Sequence, residues 1–326
     1  MNRGAGISTV RAFFRWVDLA RRPYLPAIAV ALLLFMLNGF LQPKTLRPVA
    51  IVADISTYLP MILLAVGQTY VVLASDIDLS VGSIISLVNV VTVSAMAAMG
   101  GSFGAILAGI FVGMAVGIVC GAFNGFCVAV LRFQPIVSTF ASGIVFAGIA
   151  LWILPQAGLA APDAYWETYG ENLAGIPFVL WILAAMGIAV ALIAHLVFAR
   201  SLLAVGGNIQ SAYQSGLAVA RLRVSAYILC GLFSALSALC LTGDTASGDP
   251  LLGAKMTLGS VAAVVLGGTA LSGGRGNPLG SIFGAVILGL IGSVVFFAGV
   301  PFEYQNLVQG LIVLAALAGG VTVARR

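Results

Sequence analysis

Two carboxylates, Asp76 and Asp78, stand two residues apart in the run Asp76-Ile-Asp-Leu-Ser-Val-Gly-Ser83, between long apolar stretches. Carboxylates beside hydrocarbon are costly unless they cap, pair or bind something. Two uses fit the spacing. Asp78 or Ser80 would satisfy free amides of a helix beginning just after them, where negative charge suits the helix dipole. Compatibly with capping, Asp76, Asp78 and Ser80 would line a path or gate for a polar solute. A second polar break lies within Ser260–Gly284: an apolar run stops at Gly267-Gly268, a turn carries Thr269, Ser272 and Arg275, and a new apolar run follows Pro278. A phosphate-binding loop needs glycine, four residues, then Gly-Lys-Ser/Thr. Counting from Gly268 reaches Gly273-Gly274 with no lysine after it. ATP, if it drives this chain, is therefore expected to be hydrolysed on another polypeptide.

Other reactive side chains are too scattered for catalysis. His195 is the single histidine and cannot hold a metal alone. Cys120, Cys127, Cys230 and Cys240 fall inside apolar runs with no Cys-x-x-Cys pair, and read as small buried residues. The expectation is no catalytic set, no metal and no cofactor. Inside the apolar runs, Asp54 is the clearest ionisable residue, and Gln68, Asn89 and Asn124 suit hydrogen bonds between helices. An ion-coupled carrier needs more intramembrane carboxylates than this.

The elements that must position these groups are membrane helices. Hydrophobic residues make up 61% of the 326 positions and charged ones 8%, against about 25% charged in soluble domains. Ten apolar segments can be read, at 24–41, 51–74, 82–99, 103–130, 135–154, 176–198, 224–242, 257–272, 278–298 and 304–323. The expected fold is an all-α polytopic integral membrane protein with about ten transmembrane helices. Residues 24–323 form one transmembrane domain. Residues 1–23, with Arg3, Arg11, Arg15, Arg21 and Arg22 among aromatics, suit a cytoplasmic amphipathic segment lying on anionic membrane lipid.

Ten spans put both termini on one side. With that side cytoplasmic, twelve arginines are inside, including Arg132, Arg200, Arg221, Arg223 and Arg275, and only Lys44, Arg47 and Lys255 are outside. The net charge of +5 then reports topology rather than nucleic-acid binding. Glycine recurs at Gly109, Gly113, Gly117, Gly121 and Gly125, a smooth stripe that lets another backbone approach closely. That backbone belongs either to the same chain or to a second subunit. The turns at 71–82 and 264–274 echo one another, as broken helices do in the two halves of transporters.

Residues 199–223 are the longest inner connection. Asn208 is placed to cap a short helix that Gly216 stops. Gly206, Gly207, Tyr213 and Arg221 flank it, and a soluble partner would dock there. The outer connection 155–175 carries Tyr165, Trp166 and Tyr169 among acidic residues, which fits an interfacial aromatic belt or contact with an external partner.

Taken in order, Ile77-Asp-Leu-Ser-Val-Gly-Ser83, Asn124-Gly125, Gln134-Pro-Ile-Val-Ser-Thr139, Gly206-Gly-Asn208 with Gly216, and Ala262–Gly276 resemble the membrane permease subunit of bacterial ATP-binding-cassette importers for monosaccharides, the ribose/xylose/galactose type. The likeness covers about residues 50–320. It implies a permease domain over 24–323 in the bacterial inner membrane, a second permease subunit, identical or paralogous, and a cytoplasmic ATPase subunit that docks at about 199–223. It also implies an extracytoplasmic sugar-binding protein. On this reading Asp76, Asp78, Ser80, Asn89, Asn124, Thr269, Ser272 and Arg275 belong to the path or gate. The chain departs from the family at Ser75-Asp76, where Gly-Gly is usual, at Ala212-Tyr213-Gln214, where Ala-Ala-Arg is usual, and at Thr257-Leu258-Gly259, where several members are acidic.

Overall fold

The computed structural model describes residues 24–324. The amphipathic reading of 1–23 and the terminal pair Arg325 and Arg326 lie outside the described residues. Each of the ten apolar segments contains a helix: α1 (Leu25–Leu41), α2 (Pro48–Leu73), α3 (Val81–Ala98), α4 (Phe103–Gly125), α5 (Pro135–Ile153), α7 (Phe178–His195), α10 (Val219–Thr245), α11 (Met256–Leu266), α12 (Pro278–Phe297) and α13 (Phe302–Ala324). Three more lie between them: α6 (Asp163–Gly170), α8 (Val197–Gly207) and α9 (Ile209–Gln214). Two-residue strands β1 (Leu159–Ala160) and β4 (Ser247–Gly248) pair antiparallel, as do β2 (Asn172–Leu173) and β3 (Ile176–Pro177).

Seven described helices are long and apolar enough to cross a membrane: α2, α3, α4 with its π-helical extension to Val130, α5, α7, α10 and α12. Proline opens several helices, as at Pro48, Pro135 and Pro278, where its missing amide costs nothing. Inside α2, Pro60 leaves the carbonyl of Ser56 without its helical donor. The Tyr169 hydroxyl donates to that carbonyl at 3.3 Å, pinning α6 to α2.

The core is built on α10, which packs against α4, α2 and α3. The glycine stripe of α4 makes this possible within one chain. A Cβ at Gly109 or Gly113 would meet Met96 and Thr92 of α3, and one at Gly117, Gly121 or Gly125 would meet the backbone of α10 between Val224 and Gly231 or Ala235 beyond it. α12 packs against α1, α11 and α2, and α5 packs on α3.

One element differs from the sequence reading. The segment expected as a span at 257–272 is helical only over the 11 residues of α11, about 16 Å at 1.5 Å per residue. That is half a hydrocarbon layer of about 30 Å. The chain between α10 and α11 runs beside α3. Asn89 donates to the carbonyl of Ser247, at 3.0 Å, and accepts from Asp249 N, at 2.7 Å. Ser86 Oγ accepts from Gly253 N at 3.0 Å, and Thr257 Oγ1 accepts from Gly82 N at 3.1 Å. Irregular backbone at such depth needs protein partners for its polar groups, and α3 supplies them. Lys255, read as outside the membrane, sits exposed on this inserted segment.

Candidate functional site

The polar breaks singled out in the sequence meet at one end of the bundle. α2 stops at Leu73, and the chain turns through Ser75, whose φ is 68°. Ser75 Oγ donates to the carbonyl of Ser272 at 2.9 Å. Gly274 N donates to the carbonyl of Leu73 at 3.1 Å, and Ala270 N closes the glycine turn on the carbonyl of Arg275 at 3.0 Å. Gly206, at the end of α8, lies against both partners of the Leu73–Gly274 bond, so a Cβ there would collide with them. Three stretches far apart in sequence thus form one backbone-to-backbone junction. Only hydrogen side chains fit at Gly206 and at Gly273, which has φ 79° and rests on Ser75.

Asp76 follows this junction. It is buried, and Arg223, one turn into α10, grips it with two parallel bonds: Nε to Oδ2 at 2.9 Å and Nη2 to Oδ1 at 2.7 Å. Burial pushes the Asp76 carboxyl above its ordinary value, and the guanidinium opposes that rise.

Asp78 is fully buried. Its Oδ1 accepts from Ser80 N at 2.8 Å, from Ser80 Oγ at 2.6 Å and, more weakly, from Asn124 Nδ2 at 3.5 Å. Asn124 also donates to Ser80 Oγ at 2.6 Å and accepts from Ser142 Oγ at 2.6 Å. Thr139 Oγ1 accepts from Leu79 N at 3.0 Å. Burial raises the Asp78 carboxyl, with the Ser80 and Asn124 bonds opposing. Its Oδ2 has no hydrogen-bond partner, nor do the buried Tyr227 hydroxyl and Gln68 Nε2.

This geometry corrects the capping expectation. Neither the Asp78 nor the Ser80 side chain accepts from the first-turn amides of α3; Thr257 takes Gly82 N instead. The Asp78 carboxylate is occupied by Ser80 itself and by Asn124, so it joins the α2–α3 turn to α4 and α5.

The path residues divide three ways. Asp76, Asp78, Ser80 and Asn124 come together, and all are buried within the subunit. Buried groups present no surface to a passing solute in this conformation. Ser272 and Arg275 are exposed on the glycine turn, while Thr269 beneath it is buried with an unpartnered Oγ1. Asn89 stands apart, holding Thr242 at 2.7 Å and the inserted segment. Around the inner connection, Asn208 Oδ1 accepts from Ser211 N at 2.8 Å and caps α9, and Gly216, at φ 81°, ends it. Gly207, Tyr213 and Arg221 are exposed.

Sequence reasoning missed Arg223, Thr139 and Ser142 as site residues. Arg223 carried a signal: a cation in the first turn of a long apolar helix needs a partner. At the opposite end, Tyr165 donates to the carbonyl of Leu239 at 2.8 Å, and the Tyr169 ring fills the space beside Gly243. These two tyrosines pack α6 onto α10 and α2, while Trp166 between them stays exposed.

Comparison with known proteins places this geometry in context. Residues 50–317 match the family described as "Branched-chain amino acid transport system / permease component". The ribose import permease protein RbsC of Bacillus subtilis (strain 168) is 35% identical over 305 residues, covering 90% of each chain. Its Escherichia coli (strain K12) namesake is 32% identical over 78% of this chain and 80% of its own. The L-arabinose ABC transporter permease protein AraH of Azospirillum brasilense is 29% identical over 89% of this chain and 85% of its own. No solved structure matches the chain.

Proposed function

This chain belongs to the family of branched-chain amino acid transport system permease components, and on that premise we propose that it is the membrane permease subunit of an ATP-driven importer carrying a monosaccharide. The relatives that are ribose and arabinose permeases along nearly their whole length support the sugar class. Its place is the cell inner membrane, as a multi-pass protein. Ten spans with both termini in the cytoplasm put the junction of Leu73, Gly206 and Gly274 on the cytoplasmic side, among Arg132, Arg200, Arg221 and Arg275.

A cytoplasmic ATPase subunit docks on α9 and the residues around it: Gly206, Gly207, Asn208, Tyr213, Gly216 and Arg221. Two permease subunits enclose the pathway, and an extracytoplasmic binding protein delivers the sugar. The observation that carries the mechanism is the Arg223–Asp76 pair. Arg223 lies nine residues after α9 ends. A displacement of α9 therefore reaches the α2–α3 turn through one bidentate contact, and the Ser75–Ser272 contact carries it on to the glycine turn. The permease alternates between two states of similar energy, and ATP and the loaded binding protein each bias one of them.

Uptake of labelled ribose, arabinose, xylose and galactose into proteoliposomes tests this reading. Uptake is expected only with the ATPase, ATP and binding protein all present. Uptake driven by an ion gradient, with the ATPase omitted, would favour a secondary carrier instead.

A further inference from the structure

α4 and α5 both lean on α3 and barely touch each other. Between them runs an apolar groove of about 1040 Å³, with Val112, Val119, Phe123, Val137, Val145 and Ile149 on its walls. Val112 and Cys127, near its two ends, are fifteen residues apart, about 22 Å of helix. The groove therefore reaches past the middle of a hydrocarbon core of about 30 Å.

A second pocket, of about 1020 Å³, opens where α4 and α5 are joined, against α9 and the start of α10. Phe133 and Gln134 line both cavities, so they form one continuous surface. Arg132, Arg221 and Arg223 line the second, and no carboxylate lines either. Asp76 neutralises Arg223, which leaves Arg132 and Arg221 exposed and without an acidic neighbour in the pocket. The π-helical turn Phe126–Val130 ends the regular helix, and Arg132 follows with φ 61°, on the rim of the cavity.

The combined surface is apolar along its length and cationic at one end. A phospholipid with an anionic headgroup has that same order. Basic pockets between transmembrane helices on the cytoplasmic side suit such headgroups. A helix of a second copy matches less well, because it would need a carboxylate at the arginine end. Among the described residues, Asp76 and Asp78 are buried, Asp249 lies on the inserted segment beside α3, and on the proposed orientation the other carboxylates lie toward the outer side.

We infer that this surface binds one anionic phospholipid of the cytoplasmic leaflet, with acyl chain in the α4–α5 groove and phosphate between Arg132 and Arg221. The leaflet assignment rests on the orientation proposed above.

The test is native mass spectrometry of the complete transporter, extracted from nanodiscs made of equal parts phosphatidylglycerol and phosphatidylcholine. The wild type is expected to retain phosphatidylglycerol in preference. Arg132→Gln should lower the retained ratio about fivefold, since one surface cation contributes about that factor. Adding Arg221→Gln should lower it again, and Arg132→Lys should preserve it. Ala141→Trp, which plugs the groove without touching either arginine, should expel lipid of both kinds. Equal retention of the two lipids by the wild type would overturn the proposal, as would an unchanged ratio in Arg132→Gln/Arg221→Gln. So would dissociation of paired permeases by Ala141→Trp when the wild type holds no lipid, because the groove would then seat a second copy. Arg221 also belongs to the proposed ATPase dock, so ATPase co-purification is read in the same samples: full ATPase retention by Arg221→Gln counts against docking there, whatever the lipid ratio, while Arg132→Gln tests the lipid site alone.

Discussion

Arg223→Met removes the guanidinium but keeps the apolar stem, so it isolates what the ion pair contributes. The paired groups lie 2.7 Å apart at their nearest atoms, with side-chain exposures of 15% for Arg223 and 2% for Asp76. At an effective dielectric of about 20, unit charges about 4 Å apart attract by about 4 kcal/mol. Removing one partner of a buried pair typically costs about 3–5 kcal/mol, because the remaining charge is left uncompensated. At roughly 2 °C per kcal/mol for a chain of this size, the variant should unfold about 6–10 °C below the wild type in thermal denaturation at neutral pH. Asp76→Asn combined with Arg223→Met removes both charges and should recover at least about 2 kcal/mol of the loss. The pH dependence has a definite sign. Burial already raises the Asp76 carboxyl, and Arg223 opposes the rise. Without Arg223 the carboxyl rises further, so its neutral form predominates over a wider range of pH. A raised folded-state value stabilises most at low pH, and that stabilisation is lost as pH rises through it. The deficit of Arg223→Met should therefore narrow as pH falls from 7 toward 5. A variant melting within about 2 °C of wild type, or a deficit that widens on acidification, would refute this reasoning.

Other expected outcomes follow from the same contacts. Gly206→Ala forces a methyl into the Leu73–Gly274 bond and should cost about 1–3 kcal/mol, with sugar uptake falling more steeply than yield of inserted protein. Asn89→Ala leaves Asp249 N without its acceptor and the Ser247 carbonyl without its side-chain donor; it should destabilise by about 1–3 kcal/mol while ATPase co-purification stays at the wild-type level. Gly216→Trp places a side chain at φ 81° at the end of α9 and should abolish ATPase co-purification while membrane insertion persists.

Much of the fold was legible because hydrocarbon is a demanding solvent: each apolar run of sufficient length became a helix, with proline or a polar residue near its start. The glycine spacing on α4 announced close packing, though not which backbone would approach. What the sequence hid were pairings over long separations. Asp78 and Ser80 look like a cap when read locally. Their partners Asn124 and Ser142 sit on other helices, and the amide they were expected to satisfy goes to Thr257, 175 positions away from Gly82. The inserted segment before α11 was hidden for the same reason: Gly248, Pro250 and Gly253 mark a break, but only Ser86 and Asn89 on α3 reveal that it descends into the bundle. Arg223 counted as one more inner charge until Asp76 was placed beside it. The echo between the two turns marked both as breaks; that they meet through Ser75 and Ser272 emerged only in the structure.

The central claim is that nucleotide acts on α9 and moves the junction of the two turns. Spin labels at Ser75→Cys and Ser272→Cys, in transporter assembled with its ATPase and binding protein, measure it most directly. The account expects a short distance in one nucleotide state and a longer, distinct one in the other, with the change abolished by Arg223→Met. One unchanging distance in the nucleotide-free, ATP-bound and post-hydrolysis states would contradict it.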